Sequence, residues 1–455
     1  MLMKNEITLQ TRREFLRKTV LGSALSWTVP SFLASTFTAL QSHAADSAIQ
    51  TDTGKDGTIL VVLQMAGGND GINTVVPYSS DYYHKARPRI GLPADKILKL
   101  SDNVGFHPAM TGFKSLFDSG NLSVVQGVGY PNPNRSHFRS TEIWQTASDS
   151  DKYEKYGWIG RYFDNDCTGA DPAVGVAIED QLPQSFFAQS SKGVCVTNPQ
   201  NYRFLPGDHP QPGQPDMVET SYEKLNDIEV NMSPSDQASD QNSGGSIGML
   251  SSSAMPMTGG RAVDFIERTA LDAQVSSDEI RGIAARVQNQ SVYPASQLGN
   301  SLKLVARLIG GGLPTRIYYV SQGGYDTHTN QRNSQDARLR ELAEAVKAFT
   351  DDLASFGAFD RVMIMTFSEF GRRVEENGSQ GTDHGAAAPM FLIGSHFKSG
   401  LAGAEPSLDP KDLRDGDIQF NTDFRSVYAT ILQDWLKTNP LPILGRAFPT
   451  LPIIS

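Results

Sequence analysis

Six acidic and imidazole side chains stand beside glycines at the edges of apolar runs in this 455-residue chain. Carboxylates gathered without lysine partners repel one another and shift each other's pKa values, and a bound divalent cation relieves that repulsion. Mixtures of Asp, Glu and His suit zinc or manganese, whereas an oxygen-only site suits calcium. The pattern predicts one or two divalent metal ions, zinc or manganese first and calcium as the alternative, held by Asp70, Asp326, His328, Glu369, Asp383 and His384.

Each of these residues also has an ordinary structural interpretation. An Asp after Gly-Gly, as at Asp70, often caps a helix or forms a turn. Asp326 and His328 are two residues apart and point the same way in an extended segment, but the pair alone is a weak signal. Asp383 and His384 fit a turn with a hydrogen-bonded histidine. Only the joint position of these groups at strand ends favours metal binding.

A candidate nucleophile stands in the stretch RSHF. Helical residues follow Ser136, so we expect its hydroxyl at a helix N-terminus, where free N–H groups and the helix dipole stabilise negative charge. A neighbouring metal would lower the pKa of this hydroxyl, although a plain N-cap explains the serine equally well. His137 is a candidate general acid or neighbour of the metal, and a buried, hydrogen-bonded imidazole is the alternative. Forked hydrogen bonds from Arg135, or from Arg372 and Arg373, could hold an anionic ester, although the ordinary role of such arginines is as surface or interdomain partners.

These residues must be positioned by strands and helices that alternate along the chain. Such alternation predicts an α/β protein with a mostly parallel sheet covered on both sides, and ligands then sit beyond the carboxyl ends of the strands. A helical pattern covers residues 334–356, and a closing helix covers about 423–436. Five apolar runs read as buried strands: residues 58–64, 122–128, 316–321, 361–367 and 389–393.

The middle of the chain has a different composition. Residues 206–217 are rich in Pro and Gly, and residues 231–260 are rich in Ser, Gly, Asp, Asn and Met with little periodicity. This composition is typical of a mobile loop or flap. A helical pattern over 263–287 then leads into the second half of the sheet. We predict one α/β domain over residues 45–455, with an inserted cap or flexible region around 206–260.

The first 44 residues predict an export signal and not part of the fold. Paired arginines at Arg12 and Arg13 precede Phe-Leu, a charge-free run from Thr19 to Leu40 and small residues that end at Ala44. This order is typical of a twin-arginine signal. A membrane anchor is the alternative, but the run contains Ser, Thr, Gly and Pro, and no second apolar segment of about 18 residues follows. We predict recognition by the twin-arginine translocation machinery, export in the folded state and a periplasmic or secreted location without a membrane span.

Charge and cysteine content restrict the partners further. Removal of residues 1–44 takes away five basic and two acidic side chains, so the formal net charge moves from -10 to -13. Such a surface offers no basic patch for nucleic acid or anionic lipid, and an anionic ester substrate needs a local positive centre such as a metal. Cys167 and Cys195 are the two cysteines of the chain. In an oxidising compartment they could form a disulfide, but two thiols are nearly as consistent with the sequence.

Several motifs together resemble one known family. The stretches GGNDGINTVVPY, RSHF, GGYDTHTNQ, FSEFGRR, GTDHG and DFRSVYATILQDWL, in this order after the export signal, look like the family of domain of unknown function 1501. That family is grouped with the alkaline phosphatase-like superfamily of phosphatases, phosphodiesterases, phosphomutases and sulfatases. The resemblance implies a three-layer α/β/α sandwich, one or two metals at the strand ends and a Ser or Thr nucleophile.

The resemblance also implies roles for individual residues. Asp70 matches the metal ligand after the first strand, and Ser136 stands where the nucleophile begins a helix. Asp326 and His328 resemble the Asp and His of the other metal. Glu369 ends the strand that finishes in Asp-His in relatives, and His384 resembles the late histidine. An alternative alignment makes Asp383 and His384 that Asp-His pair.

The chain also departs from the pattern of the superfamily. Phe370 stands where a relative has histidine, and Asp326 and His328 are closer together than usual, which predicts a second metal position that is weakened, altered in metal preference or empty. No Cys-x-Pro-x-Arg or Ser-x-Pro-x-Arg stretch occurs, so a formylglycine sulfatase mechanism is disfavoured.

These observations predict an exported metal-dependent hydrolase of phosphate or sulfate esters. In this hypothesis one ion, at Asp70 and Glu369, activates Ser136, and another, at Asp326, His328 and His384, stabilises the leaving oxygen. Fold resemblance does not fix function. The rival hypothesis is a metal-stabilised binding or assembly protein of the cell envelope without turnover, and a third is a purely structural calcium site.

Overall fold

The computed structural model describes residues 57–168, 170–189, 193–196, 279–398 and 400–454. The predicted export signal, the predicted insertion at 206–260 and most of the predicted helix 263–287 lie outside them, although residues 279–286 are helical as expected. Among the described residues, no helix is both long enough and apolar enough to cross a membrane.

Most of the strands of the described chain form one large sheet. In chain order the strands are β1 (Ile59–Met65), β2 (Val75–Val76), β3 (Leu98–Lys99), β4 (Gly105–Phe106), β5 (Leu122–Gly129), β6 (Gly175–Ala177), β7 (Val194–Cys195), β8 (Ile317–Gln322), β9 (Val362–Phe367), β10 (Ala388–Ile393), β11 (Gly400–Ala402) and β12 (Thr422–Asp423). The order in the large sheet is β11, β5, β10, β9, β1, β8, β6, β7, with β12 also paired to β5, and β2, β4 and β3 form a small second sheet.

Strand β1 lies inside the sheet and pairs in parallel with both β8 and β9. All seven of its residues are buried. Its sequence, ILVVLQM, is a nearly continuous apolar run, which is typical of a strand covered on both faces. The carboxyl ends of β1, β8 and β9 therefore meet at one edge of the sheet.

Strand β10 is the exception to the parallel arrangement, because it runs antiparallel to β5 and β9. Its amino end therefore lies at the same edge as the carboxyl ends of β1, β8 and β9. The GTDHG stretch directly precedes β10 and so reaches that edge from the opposite chain direction. The sheet is mixed but mostly parallel, as predicted.

Helices cover both faces of the sheet. Ile59, Val61 and Leu63 of β1 belong to one core, and the alternate residues Leu60 and Val62 belong to the other. The helices are α1 (Gly71–Thr74), α2 (Asp81–Ala86), α3 (Thr111–Asp118), α4 (His137–Thr146), α5 (Trp158–Asp166), α6 (Gln297–Gly310), α7 (Gln331–Ser355), α8 (Phe424–Thr430) and α9 (Pro440–Leu444). Helices α3, α6 and α7 contribute to the first core, and α4, α5 and α8 contribute to the second. This is the predicted α/β/α sandwich.

The five predicted strands are confirmed as β1, β5, β8, β9 and β10, with ends that differ by at most one residue. The predicted helix 334–356 begins three residues earlier, at Gln331. The predicted closing helix is α-helical only over α8 and continues as a π-helix over Ile431–Trp435. Cys167 and Cys195 are not joined by a disulfide.

Candidate metal centre

Three histidines and one aspartate meet at the shared edge of the sheet. Asp326 and His328 follow β8, His384 precedes β10, and His137 is the first residue of α4. Ligand nitrogens of His137 and His384 and a carboxylate oxygen of Asp326 all lie within 4.8 Å of one another. Three segments far apart in the sequence thus bring metal-type ligands to one place.

Each of the three imidazole rings is fixed through its Nδ1 atom. His137 Nδ1 lies 2.8 Å from Glu369 Oε1. His384 Nδ1 lies 2.7 Å from the Arg135 carbonyl oxygen, and His328 Nδ1 lies 3.2 Å from Asp383 Oδ1. Carbonyl and ionised carboxylate oxygens only accept hydrogen bonds, so in the neutral rings the proton is assigned to Nδ1 and the lone pair to Nε2.

The Nε2 atoms of these rings face the Asp326 carboxylate. Nε2 of His328 lies 2.9 Å from Nε2 of His384 and 3.1 Å from Asp326 Oδ1. Nε2 of His384 lies 3.3 Å from the same oxygen. Nε2 of His137 lies 3.5 Å from Asp326 Oδ2, is buried and has no hydrogen-bond partner.

This arrangement fits a bound cation better than an empty cluster. Burial is the main cause that lowers the pKa of His384, which favours its neutral ring. Burial of Asp326 opposes its ionisation, but hydrogen bonding and charge from Arg372 outweigh it and lower the pKa of this carboxyl. Lone pairs and a carboxylate then face one another, and a metal relieves their repulsion. Zinc sites combine imidazole and carboxylate ligands, and the second nitrogen of each imidazole donates to an acceptor. The three histidines and Asp326 follow this pattern.

Glu369 supports the cluster through His137. Its carboxylate is 3% exposed, and Oε1 accepts hydrogen bonds from His137 Nδ1 and from the Gly67 backbone N–H, the latter at 2.8 Å. Its carbonyl oxygen accepts from Trp144 Nε1 at 2.8 Å. Glu369 was predicted as a metal ligand, and in the structure its contact with the cluster is the hydrogen bond that orients His137.

Phe370 forms a wall of the cluster. Its ring centre lies 4.8 Å from that of His137 and 4.5 Å from that of His384. The residue is 1% exposed. The departure seen in the sequence at this position is therefore an apolar ring packed against two histidines.

Asp70, the first predicted ligand, lies in a buried polar network instead. Its carboxylate is 1% exposed, and Oδ2 pairs with Arg87 and accepts from Gln331 Nε2. The Arg87 guanidinium also donates to the carbonyl oxygens of Val374 and Arg373, both at 2.9 Å. The structure does not bring Asp70 into the histidine cluster.

Arg372 joins the loops that carry the cluster. Its guanidinium is fully buried and donates to Asp326 Oδ1 at 2.8 Å. It also donates to four backbone carbonyl oxygens, those of Gly67, Gly68, Tyr325 and Thr382. These bonds use its donors, so Arg372 acts as an internal brace at this edge of the sheet.

The other predicted anion-binding arginines face Asp417. Arg135 Nε lies 3.0 Å from Asp417 Oδ2, and Arg373 Nε lies 3.8 Å from Oδ1. Both arginine side chains are partly exposed, at 38% and 39%. Burial raises the pKa of Asp417 despite these partners. Both guanidiniums thus contact the Asp417 carboxylate. The carbonyl oxygen of Arg135 contacts the cluster directly, through His384.

Ser136 occupies the N-cap of α4, as predicted. It is exposed, and its hydroxyl does not make the usual side-chain capping bond. Its neighbours on both sides contact the cluster, Arg135 through its carbonyl oxygen and His137 through its ring. The hydroxyl is therefore close in the chain to the cluster and is not engaged in capping.

Two glycines allow neighbouring loops to pack closely against the backbone of Asp326 and His328. Gly67 has φ +122°, and a Cβ there would lie 2.5 Å from the backbone nitrogen of Asp326. A Cβ at Gly381 would lie 2.2 Å from the carbonyl carbon of His328. The glycines noted in the sequence are thus needed for loop packing around Asp326 and His328.

The partners of Asp70 were not predicted from the sequence. Arg87 and Gln331 were not considered, although an unpaired buried Asp requires a cation or donors. His137 was predicted as an acid or a metal neighbour, and its orphaned Nε2 now places it with the ligand-type groups. The signal available in the sequence was its position at the start of a helix that follows β5.

The fold and the cluster define an α/β sandwich with a histidine-rich metal-type centre at one edge of its sheet. This chain belongs to the family described as Protein of unknown function (DUF1501), whose model matches residues 58–436. No curated protein matches the sequence.

Several solved structures resemble parts of the fold at low identity. One is the C-terminal periplasmic domain of EcEptC from Escherichia coli in complex with Zn, at 11% identity and a TM-score of 0.32, covering 74% of this chain and 73% of that one. A protein in the alkaline phosphatase superfamily from Vibrio parahaemolyticus has 11% identity and a TM-score of 0.35, with 87% and 71% covered. The PsFucS1 sulfatase from Pseudoalteromonas sp. has 11% identity and a TM-score of 0.32, with 90% and 71% covered.

Proposed function

We propose that this protein is a metal-dependent hydrolase of phosphate or sulfate esters, with Ser136 as the nucleophile. One observation carries the proposal: His137, His328 and His384 present their Nε2 atoms to Asp326 while their Nδ1 atoms are held by acceptors. The exposed Ser136 hydroxyl stands directly beside this cluster in the chain.

The proposed ligands are His137, His328, His384 and Asp326. Three nitrogen donors favour zinc, with manganese as the second choice, and disfavour calcium, which prefers oxygen ligands. A metal bound here would polarise an ester oxygen and lower the pKa of a nearby hydroxyl. The proposed set excludes Asp70 and Glu369, because Asp70 Oδ2 pairs with Arg87 and Glu369 Oε1 accepts from His137. We therefore propose one ion at this cluster.

The residues of the chain have separate tasks in this proposal. Glu369 and the Arg135 carbonyl hold two rings in the tautomer that presents Nε2. Arg372 holds Asp326 and the surrounding loops in place. Ser136 supplies the attacking oxygen, and the free N–H groups in the first turn of α4 stabilise negative charge there. The partly exposed Arg135 and Arg373 guanidiniums favour an anionic ester at this edge.

Export belongs to the same proposal. The twin-arginine pattern in residues 1–44 would carry the folded protein to the periplasm or outside the cell. Export of folded protein would allow the metal to be acquired in the cytoplasm. Replacing Arg12 and Arg13 with lysine should leave the protein in the cytoplasmic fraction. Unchanged export of that variant would reject the pathway.

The direct test is turnover of aryl phosphate, aryl phosphodiester and aryl sulfate by purified protein, with zinc or manganese added. We expect activity on at least one of them and a loss of about 1,000-fold or more in Ser136→Ala, the scale seen when a nucleophile is removed. Ser79→Ala is the matched control, since Ser79 is also exposed and lies outside the cluster. Full activity in Ser136→Ala would reject the serine mechanism.

A non-catalytic metal-stabilised binding or assembly protein of the cell envelope is the second candidate. The packing of Phe370 against two histidine rings favours it, because an apolar wall replaces a polar group on one side of the cluster. This candidate predicts bound metal without turnover of any ester in the panel. Metal-dependent turnover would exclude it.

A further inference from the structure

An open cleft adjoins the metal centre on the side of α4. His137, Asp326 and Glu369 form its boundary with the cluster. Successive positions of α4 supply much of another wall, because His137, Thr141 and Gln145 follow one another at the four-residue spacing of a helix face. Its remaining lining residues are Gln64, Ala66, Gly67, Phe138, Glu142 and Gln184.

Two glutamines of this cleft are oriented by one buried tyrosine. Gln145 Nε2 donates to Tyr319 Oη at 3.1 Å, and Tyr319 Oη donates to Gln64 Oε1. Burial raises the pKa of Tyr319, so its hydroxyl keeps the proton. The other amide atoms, Gln145 Oε1 and Gln64 Nε2, make no hydrogen bond within the described chain. Reversing both amides would exchange their roles, so in either case the pair offers one acceptor and one donor.

The charges of the cleft argue against a second anionic group in it. No lysine or arginine is among its described lining residues. Its outer carboxylates are already paired, Glu142 with Arg139 at 2.8 Å and Asp326 with Arg372 at 2.8 Å. The walls are therefore polar, close to neutral and rich in amide and hydroxyl groups.

Phe138 adds an apolar surface at the mouth of the cleft. Its side chain is 91% exposed, although it belongs to the first turn of α4 beside His137. One exposed aromatic residue on a protein surface needs no explanation. Here the ring stands beside oriented amides and the candidate metal centre, which is the combination of apolar surface and few placed polar groups found in ligand sites.

We propose that this cleft binds a neutral sugar ring, so that the substrates are sugar phosphates or sugar sulfates with the ester group at the histidine cluster. A sugar hydroxyl both donates and accepts, so neighbouring hydroxyls match the donor and acceptor of Gln64 and Gln145. The carbon-bound hydrogens of a sugar face can pack on the Phe138 ring. This inference rests on the proposed function for the position of the ester group, but the sugar contacts are independent of turnover.

Calorimetry with zinc-loaded protein tests the inference by binding. The probes are the 6-phosphates and 6-sulfates of glucose, galactose and mannose, compared with ethyl phosphate and ethyl sulfate, which carry the ester without the ring. We expect at least one sugar ester to bind about tenfold or more tightly than the ethyl ester with the same anionic group. Phosphocholine is added as the probe for a cationic substrate.

Single substitutions then test whether residues of the cleft cause the preference for sugar esters over ethyl esters. Phe138→Ala and Gln145→Leu should each reduce the ratio of sugar-ester to ethyl-ester affinity by about threefold to tenfold. Tyr82→Ala should leave the ratio unchanged, since Tyr82 is an exposed aromatic residue outside the cleft. Far-ultraviolet circular dichroism checks the fold of Gln145→Leu. If Gln145→Leu does not fold, Phe138→Ala still tests the proposal, because the exposed Phe138 side chain can be removed without disturbing the core.

The outcomes separate the two proposals. A sugar preference without turnover of any ester supports the cleft and rejects the hydrolase. Turnover with equal affinity for sugar and ethyl esters supports the hydrolase and overturns the cleft assignment. Tighter binding of phosphocholine than of every sugar ester, no binding of any sugar ester, or an unchanged ratio in both variants would also overturn it.

Discussion

Two aspartates follow neighbouring parallel strands in nearly identical motifs, yet they have opposite surroundings. GGND ends in Asp70 after β1, and GGYD ends in Asp326 after β8. Asp70 is 1% exposed and pairs with Arg87, whereas the Asp326 side chain is 49% exposed and faces three histidines. A carboxylate at the end of a buried strand can thus serve the fold or a site, and its motif does not distinguish the two.

Partners from elsewhere in the chain make the difference. Arg87 directly follows α2, and Gln331 begins α7, so Asp70 meets donors supplied by two elements outside the sheet. Asp326 receives one guanidinium, from Arg372, on one oxygen, and the histidines occupy its remaining side. A local motif therefore predicts that an acid reaches the sheet edge, while distant donors decide what it does there.

The largest predicted effect concerns the buried pair. Asp70→Asn leaves the Arg87 charge buried without its partner, which should reduce the free energy of unfolding by about 3–5 kcal/mol. Urea unfolding followed by circular dichroism measures this change. A variant as stable as the wild type would mean that the Asp70 pair does not hold the fold, and the contrast with Asp326 would disappear.

The histidines also divide between a role in the fold and a role in the site, and His107 has a role in the fold. His107 is 3% exposed and accepts from the Ala109 backbone N–H at 3.1 Å, and burial lowers its pKa to about 4. The neutral ring is favoured in the fold, whereas the unfolded chain binds a proton below its ordinary pKa of about 6.5. The neutral His107 ring thus makes its full contribution to the free energy of unfolding above about pH 6.5, and this contribution is lost as the pH falls toward about 4.

We predict that the wild type loses roughly 2 kcal/mol more unfolding free energy than His107→Gln between pH 7 and pH 5. Urea unfolding of both proteins at the two pH values measures the difference. An equal loss in both would show that His107 does not titrate as a buried neutral ring.

A smaller effect is expected at the carboxylate that orients His137. Glu369→Gln keeps the size of the side chain but weakens the acceptor for His137 Nδ1, and changes of this kind cost about 10–100-fold in metal affinity. Competition with a zinc chelator measures the affinity. Glu376→Gln is the control, since the Glu376 carboxylate pairs with Arg89 and accepts from the Ile90 backbone N–H. Equal zinc affinity in both variants would remove Glu369 from the support of the centre.

The smallest expected effect is the stability of metal-free Asp326→Asn. Because this side chain is half exposed, its loss should change the unfolding free energy by about 1 kcal/mol or less. Urea unfolding in the presence of a chelator measures it beside Asp70→Asn. A loss as large as that of Asp70→Asn would contradict the division between a fold carboxylate and a site carboxylate.

The sheet was predictable because its strands are continuous apolar runs bounded by glycine, and β1, β5, β8, β9 and β10 appear where those runs stand. The meeting of Asp326, His328 and His384 followed from strand ends that share one edge. The antiparallel direction of β10 was not predicted, yet it delivers His384 to that edge. The order of strands depends on long-range pairing that a single sequence does not display.

The roles of individual polar groups were harder to predict. The sequence positions of Asp70 and Glu369 are typical of metal ligands. In the folded chain, Asp70 instead pairs with Arg87, and Glu369 bonds to His137. Arg372 looked like an anion holder, and its buried guanidinium instead binds backbone carbonyl oxygens. In each case the deciding contact joins residues 17 to 305 positions apart, which residue type and spacing cannot specify.

The most direct test of the account is elemental analysis of purified protein after exposure to zinc or manganese and removal of free ions. We predict about one metal ion per chain in the wild type and in folded Asp70→Asn, and a loss of that ion in Asp326→Asn and His384→Ala. A wild-type protein that retains no metal, or cluster variants that retain it fully, would contradict the assignment of the three histidines and Asp326 as a metal centre.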